Sequence, residues 1–253
     1  MKTRIILGAF ALIMICSAAY AGDLAKGNIR LFQSFFEDAH VTADIYLDTA
    51  FKYEHFDFLG FDFDLYNLTL RAGLPISRDT EIHGALGFVY ASPDNGSSEK
   101  GVSDFYFGGR HLVYNQVTKV SVGGFVTIPT GREKTGQDNF DTGIYSALRH
   151  PLDEKIVLTG TVGLVYTETP YMTRMDDDHE AILRLGGGAI YQQSDQLNFI
   201  GEIVYKTRYD YMVITGGLDY AFDRKSSIRC ALGFGLDNGA PDLQFQLSGF
   251  IMF

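Results

Sequence analysis

The last eleven residues of the chain, Leu243 to Phe253, alternate between apolar and polar side chains over most of their length. One face carries Leu243, Phe245, Leu247, Gly249, Ile251 and Phe253, and the other begins with Gln244, Gln246 and Ser248. Successive side chains of a β-strand point to opposite faces, so this pattern predicts a strand with one apolar and one mostly polar face. About ten residues is also the length at which a tilted strand crosses a bilayer.

The same alternation recurs along the chain and predicts twelve strands, at 41–54, 64–74, 81–91, 103–114, 119–128, 142–150, 156–166, 181–191, 197–209, 211–222, 228–236 and 243–253. Short turns between them alternate with longer polar loops at 55–62, 92–102, 129–141 and 167–180. This asymmetry and an even strand number are typical of outer-membrane barrels. The predicted fold is therefore all-β, a transmembrane antiparallel up-and-down barrel of about 12 strands formed by residues 41–253.

A soluble β-sandwich would also alternate, but it would bury its apolar faces. In this sequence the faces opposite the apolar stripe carry charges on most strands, which a sandwich packed on one face would not explain. In a membrane barrel the apolar face contacts lipid, and closure of the sheet satisfies every backbone group. The sequence contains 28 glycines, and its aromatic residues, 14% of the chain, are all Phe and Tyr, which suits aromatic girdles at the two interfaces.

The beginning of the chain has the features of a secretory signal peptide, predicted to be residues 1–21. Lys2 and Arg4 form a positive region, 5–15 is continuously apolar, and Ala19-Tyr20-Ala21 is a small-x-small cleavage site. The apolar run is too short for a transmembrane helix, which needs about 20 residues. The expected destination of the mature chain is the bacterial outer membrane.

The sequence pattern of residues 22–40 is compatible with two kinds of secondary structure. Ile29, Phe32, Phe35 and Phe36 lie at helical spacing, which predicts a short amphipathic helix in the lumen or at the periplasmic mouth. An additional strand is the alternative.

Several charges share the polar face of the predicted strands and are expected to line the lumen, because a charge facing lipid at mid-depth costs about 2–4 kcal/mol. They are Asp44, Asp48, Lys52, Arg71, Asp104, Arg110, Arg149, Arg184, Glu202, Lys206, Asp219 and Arg229. These charges could pair across the lumen and brace a non-conducting barrel, or they could line a path that selects solutes. Twelve strands lie between the roughly eight that side chains can fill and the 16 or more that leave an open pore.

One segment carries a family resemblance. Gly101-Val-Ser-Asp-Phe105 opens a strand, the next strand ends in Ile128-Pro-Thr-Gly131, and a polar loop leads to Thr142-Gly143. This order resembles the outer-membrane barrel family known as phenol meta-pathway degradation proteins. The matching positions are Gly101, Ser103, Asp104, Pro129, Thr130 and Gly131. The resemblance implies an outer-membrane barrel associated with the uptake of aromatic compounds.

The charge balance and the histidine positions narrow the function classes. Removal of Lys2 and Arg4 with the signal leaves 19 of the 21 basic residues against 31 acidic ones, a net charge of −12, which disfavours a nucleic-acid partner. The histidines are scattered and no nucleophile motif accompanies them, so no enzyme activity, cofactor or metal is expected.

The function predicted from the sequence is passive entry of small solutes, apolar or aromatic ones included, through an outer-membrane channel. A non-conducting structural or surface barrel is the alternative, and an outer-membrane lipid-modifying enzyme is the third candidate. The expected partners are outer-membrane lipid and lipopolysaccharide, the small-molecule solute, and the outer-membrane assembly machinery, which would recognise the C-terminal strand ending on Phe253.

Overall fold

A computed structural model describes residues 28–58, 61–94, 97–131, 140–168, 179–208 and 211–253. The expected signal peptide and residues 22–27 lie outside these ranges. The described residues form thirteen strands, which are β1 (Tyr46–Phe58), β2 (Phe61–Pro75), β3 (Thr80–Pro93), β4 (Glu99–Val102), β5 (Phe105–Asn115), β6 (Lys119–Ile128), β7 (Asp141–Pro151), β8 (Ile156–Glu168), β9 (His179–Gln192), β10 (Leu197–Lys206), β11 (Tyr211–Ala221), β12 (Ser226–Gly235) and β13 (Leu243–Met252).

The strands close into an antiparallel barrel. Apart from β4, each strand pairs with the next one along the chain, and the ring is completed by β1 and β13, which place Tyr46 opposite Met252 and His55 opposite Leu243. Twelve strands form the ring, and the short β4 is an extra piece beside β3. The prediction of a 12-stranded up-and-down barrel is thereby confirmed.

Two predicted loops are in fact strands in part. The expected loop at 55–62 is largely taken up by β1 and β2, whose tips are joined by stacking of Phe56 on Phe63 at 4.6 Å between ring centroids. The expected loop at 92–102 contains β4, which pairs with the outer half of β3 while β5 pairs with the inner half. Polar residues in both stretches obscured the alternation, and the backbone pairing continued through them.

The barrel is polar inside and apolar outside. In β13, Leu243, Leu247 and Ile251 are 37–48% exposed, whereas Gln244 and Gln246 are 1–2% exposed. A soluble sandwich would bury the leucines and expose the glutamines. The apolar outer face is the surface that lipid covers in a membrane barrel.

The short turns lie at one end of the barrel, as predicted, and side chains close some of them. Asp223 Oδ1 accepts hydrogen bonds from the N–H groups of Lys225 and Ser226 at 2.7 and 2.8 Å. These donors, the Lys225 N–H first, hold the pKa of Asp223 below its ordinary value. By the asymmetry of outer-membrane barrels, this end is periplasmic.

Residues 29–42, called the plug here, lie inside the barrel and connect to the periplasmic end of β1. Residues 28–45 form a succession of bends with no helix and no strand, so both predictions for the described part of 22–40 are wrong. Most plug residues are buried, although the segment has no regular hydrogen bonding of its own. Among the described residues, no helix is long and apolar enough to cross a membrane.

Candidate functional site

The plug packs on apolar patches of the inner wall. Leu31 and Phe32 are 1% exposed and contact a wall cluster made of Val157, Ile190, Ile200 and Ala231. Phe35 packs with Tyr46, Phe250 and Met252, near the closure of β1 on β13. These patches explain why the otherwise polar lumen contains apolar side chains at these places, since they are covered by the plug and not by water.

Glu81 of β3 is the centre of a buried polar network that joins plug and wall. Its carboxylate accepts from Arg110 of β5 at 2.6 Å and from Arg30 of the plug at 3.2 Å, and all three side chains are fully buried. Tyr46 donates its hydroxyl at 2.9 Å. The backbone N–H and the hydroxyl of Thr42 donate at 3.2 and 3.0 Å. A buried carboxylate needs this many partners, because each unpaired lone pair and each unpaired charge is costly.

Glu202 of β10 binds the plug by its backbone. Three successive N–H groups, those of Phe32, Gln33 and Ser34, donate to its two carboxylate oxygens at 2.9, 2.8 and 2.8 Å. Successive N–H groups that converge on one anion form a backbone nest. These donors are therefore unavailable for helical hydrogen bonds, which explains why the apolar residues at helical spacing do not form a helix.

Four wall arginines bind plug carbonyl oxygens. Arg110 donates to the carbonyls of Phe36 and Asp38 at 2.9 and 3.0 Å, Arg149 to Ile29 at 3.0 Å, Arg184 to Gln33 at 3.0 Å, and Arg229 to Arg30. Arg149 and Arg184 also form salt bridges with plug carboxylates, at 2.9 Å to Asp38 and 2.6 Å to Glu37. The wall thus satisfies the plug backbone in place of secondary structure.

Ten of the twelve charges predicted to line the lumen fall into three overlapping groups. Those that contact the plug are Arg71, Arg110, Arg149, Arg184, Glu202 and Arg229. Those that pair within the wall are Asp48 with Arg71 at 3.3 Å and Asp219 with Arg229 at 3.2 Å. Those nearer the outer end are Lys52, which lies 3.0 Å from Glu54, and Lys206, whose ammonium lies 4.3 Å from the Tyr211 ring centroid.

Two of the predicted charges are not mid-lumen residues. Asp44 is exposed and precedes β1, because the chain leaves the plug through a bend at 43–44 before the strand begins. Asp44 therefore does not belong to the first strand, and its position in the lumen stays a prediction. Asp104 lies between β4 and β5 and accepts the N–H of Gly131 at 2.9 Å.

The sequence-based prediction missed the centre of the network. Glu81, Arg30, Glu37 and Asp38 were not among the expected lumen charges. Glu81 could have been found, because it shares its face of β3 with His83 and lies opposite Arg110 in the register. The plug charges follow no period, and no local signal identifies them.

The six family-motif positions come together at the outer edge of the β3–β6 wall. Ser103 replaces a backbone acceptor in the ladder, since its hydroxyl accepts the N–H of Gly87 at 2.9 Å. Thr130 Oγ1 accepts the N–H of Phe105 at 3.0 Å, next to the Asp104–Gly131 contact. Gly101 pairs with Val89, and Pro129 follows the end of β6. The motif residues therefore connect the break between β4 and β5 to the end of β6 by hydrogen bonds.

A closed 12-stranded barrel with an apolar exterior and a polar, plugged interior defines an outer-membrane β-barrel protein. The family model described as "Putative MetA-pathway of phenol degradation" matches residues 21–253, and the chain belongs to this family.

Solved structures of similar fold are outer-membrane barrels. The COG4313 outer membrane channel from Pseudomonas putida F1 aligns with a TM-score of 0.73 and 11% identity over 86% of this chain and 98% of its own. The KdgM porin aligns with a TM-score of 0.55 and 11% identity over 81% and 99%. The CymD monoaromatic hydrocarbon channel aligns with a TM-score of 0.51 and 10% identity over 92% and 98%. No curated protein sequence matches the chain.

Proposed function

We propose that this barrel is a passive outer-membrane channel for small solutes, and that displacement of the plug opens it. The observation that carries the proposal is the way the lumen is filled. Barrels of about eight strands are filled by the side chains of their own wall. In this 12-stranded barrel the described interior is filled by a separate segment, which is joined to β1 at one end and held elsewhere by non-covalent contacts. Such a segment can leave without breaking the ring of strands.

The proposed solutes are apolar or aromatic. The family description refers to phenol degradation, and a barrel of the same fold is a monoaromatic hydrocarbon channel. The interior supports this class by its aromatic side chains, which include Phe35, Tyr46 and Tyr145. We propose that Lys52 and Lys206, near the outer end and joined to no plug residue by a described hydrogen bond, line the approach to these rings.

The structural alternative is a barrel whose plug never moves. Many of the plug contacts are buried charges, which favour one arrangement strongly once formed. A plug that never moved could be held equally well by apolar packing, because buried ion pairs add little net stability compared with hydrophobic residues of similar size. The use of ion pairs and hydrogen bonds between plug and wall therefore favours the channel.

The proposal assigns no chemical reaction to the chain. The strongest candidate for catalysis is at the outer rim, where His55 Nδ1 lies 3.0 Å from Asp64 Oδ1. The hydroxyl of Tyr53 donates to the same Asp64 oxygen at 2.8 Å, and Ser92 lies opposite Asp64 on the side away from His55. A nucleophile must lie beside the imidazole to be activated. This order of residues therefore does not form a triad.

Proteoliposomes test the proposal with two solutes. Arabinose reports on a general aqueous path, and benzenesulfonate at pH 7 carries an aromatic ring with a permanent charge that blocks its diffusion through lipid. We expect both to enter vesicles containing the purified protein faster than protein-free vesicles, and benzenesulfonate to enter faster than arabinose. Entry of neither solute would reject the channel in favour of the structural barrel. Faster entry of arabinose would reject the proposed aromatic preference.

A further inference from the structure

A flat group of wall rings lies beneath one plug side chain. His83 of β3 and Tyr106 of β5 have ring centroids 5.9 Å apart and planes within 13° of each other, and Phe125 of β6 stacks on Tyr106 at 5.0 Å. We call these three residues the aromatic floor. Phe36 of the plug lies across two of its rings, 4.4 Å from His83 and 5.1 Å from Tyr106, with interplanar angles of 7° and 6°.

Two glycines leave room for the floor rings close to the strand backbone. A Cβ on Gly108 would approach His83 Nε2 to 2.7 Å, and one on Gly143 would approach Phe125 Cε1 to 2.5 Å. Any larger residue would lift these rings from the wall, since real Cβ contacts are not that short. The sequence therefore maintains a planar surface at this place, where a simple filled core would need none.

The floor also contains polar atoms that Phe36 does not satisfy. Within the described ranges, neither His83 Nε2 nor the Tyr106 hydroxyl has a hydrogen-bond partner, although both atoms are buried. Buried polar atoms are normally paired, because an unpaired one costs about 1–3 kcal/mol. A hydrocarbon ring such as that of Phe36 covers these atoms without bonding to them.

Phe36 differs from the plug residues on either side. Phe35 is 2% exposed and Glu37 is 6% exposed, whereas Phe36 is only partly buried. Its carbonyl is bound by Arg110 and Tyr145, so the backbone is fixed while the phenyl ring is in contact with the floor. The phenyl ring thus covers the aromatic floor without being fully buried itself.

We propose that the aromatic floor is a binding site for planar aromatic molecules, and that Phe36 occupies it as an internal substitute when the barrel is closed. The site would accept a single ring or a fused pair of rings, with a hydrogen-bonding substituent placed toward His83 or Tyr106. This inference rests on the proposed channel function, since it names the class of solute and the plug residue with which that solute competes.

Binding can be measured on the purified full-length chain in detergent, separately from any transport. The sequence contains no Trp, so the fluorescence of added indole excited at 295 nm has no tryptophan background. We expect Phe36→Ala to bind indole at least tenfold more tightly than the wild type, because the competing ring is gone. Phe36→Leu is the matched control, since its non-planar side chain still fills the space, and it should bind indole no better than the wild type.

A pair of competitors tests planarity. Benzyl alcohol and cyclohexylmethanol have the same hydroxyl and a similar size, but only the first is flat. An aromatic pair is worth enough beyond its area to give about two- to tenfold selectivity, so benzyl alcohol should displace indole from Phe36→Ala at correspondingly lower concentration. Adding His83→Leu and Tyr106→Leu should abolish this selectivity. Equal potency of the two alcohols, or no gain of indole binding in Phe36→Ala, would overturn the proposal.

A second measurement leaves Phe36 in place and decides the question if Phe36→Ala does not fold. Ser34 is 1% exposed, so Ser34→Cys with Cys230→Ser introduces one buried thiol in the plug. Benzyl alcohol should accelerate modification of this thiol several-fold by displacing the plug, and cyclohexylmethanol should not. Equal rates with both alcohols would contradict competition at the floor. If no solute enters the vesicles but the binding experiments give the expected results, the channel is rejected and the binding site is still supported.

Discussion

Substitution of Glu81 by Gln should release the plug without unfolding the barrel. The change is nearly isosteric, but it removes the negative charge that lies between Arg30 and Arg110 at 3.2 and 2.6 Å, in surroundings where all three side chains are fully buried. Breaking a buried ion pair by removing one partner costs about 3–5 kcal/mol. Arg30 can escape this cost by moving into water with the plug, whereas the wall cannot move. The penalty therefore falls on plug docking, where it corresponds to about a hundred- to several-thousand-fold change in the docked population.

Hydrogen–deuterium exchange of the peptide spanning 29–42 measures this change directly. In Glu81→Gln we expect the plug amides to exchange at least a hundredfold faster, while the amides of β8 to β11 keep their wild-type rates. Glu54→Gln is the matched control, because Glu54 is also a buried wall carboxylate but pairs with Lys52, at 3.0 Å, and has no described contact with the plug. Plug exchange within threefold of the wild type would refute the role of Glu81. Equal acceleration of plug and barrel would show that Glu81 holds the wall and not the plug.

Three further predictions concern the wall. Gly143→Ala should destabilise the barrel by about 1–3 kcal/mol in thermal or urea unfolding, because the added Cβ would overlap Phe125. The control is the outward-facing Gly216→Ala, which should be neutral because no atom lies within 4 Å of its added Cβ. Equal effects of the two substitutions would contradict the packing described. Leu247→Arg, on the outer face at mid-strand, should lower the free energy of unfolding in lipid by about 2–4 kcal/mol. Leu243→Arg, near the outer end of the same strand, should lower it by about 0–1 kcal/mol. Equal effects at the two depths would argue against lipid contact. Arg184→Ala removes a positive charge that holds Glu37 of the plug, so conductance should rise and the reversal potential should shift toward cation selectivity; unchanged selectivity would exclude Arg184 from the path.

The ring of strands could be predicted from the sequence because one physical rule governs all of it. Lipid on the outside and polar groups on the inside impose a period of two on every strand, and β13 shows the same alternation in its side chains and in its burial. This alternation did not predict β4. β4 contains the polar residues Glu99 and Lys100, and it pairs with β3 next to the point where the Ser103 hydroxyl accepts the N–H of Gly87.

The conformation of the plug could not be predicted, because its partners are distant in the chain. The N–H groups of Phe32 and Ser34 bind Glu202, which is 170 and 168 residues away. The apolar spacing alone favours a helix, because a helix prediction assumes that the segment forms backbone hydrogen bonds within itself. Six of the expected lumen charges contact the plug, yet the sequence pattern indicates only that they face inward and not what they bind.

A reversible covalent lock of the plug provides the most direct test of a channel opened by plug displacement. A Cβ on Gly186 of β9 would lie 3.9 Å from the Cβ of Ser34, close to the mean of about 3.8 Å in disulfides. The variant combines Ser34→Cys and Gly186→Cys with Thr161→Ser, which removes a methyl 2.7 Å from the new Cβ, and with Cys230→Ser. The same variant with glycine kept at 186 is the control.

Conductance in planar bilayers should fall to the protein-free level when the disulfide forms, and should return on reduction. The control should conduct equally in both redox states. An oxidised, locked barrel that conducts as well as the reduced one would contradict opening by displacement of the plug.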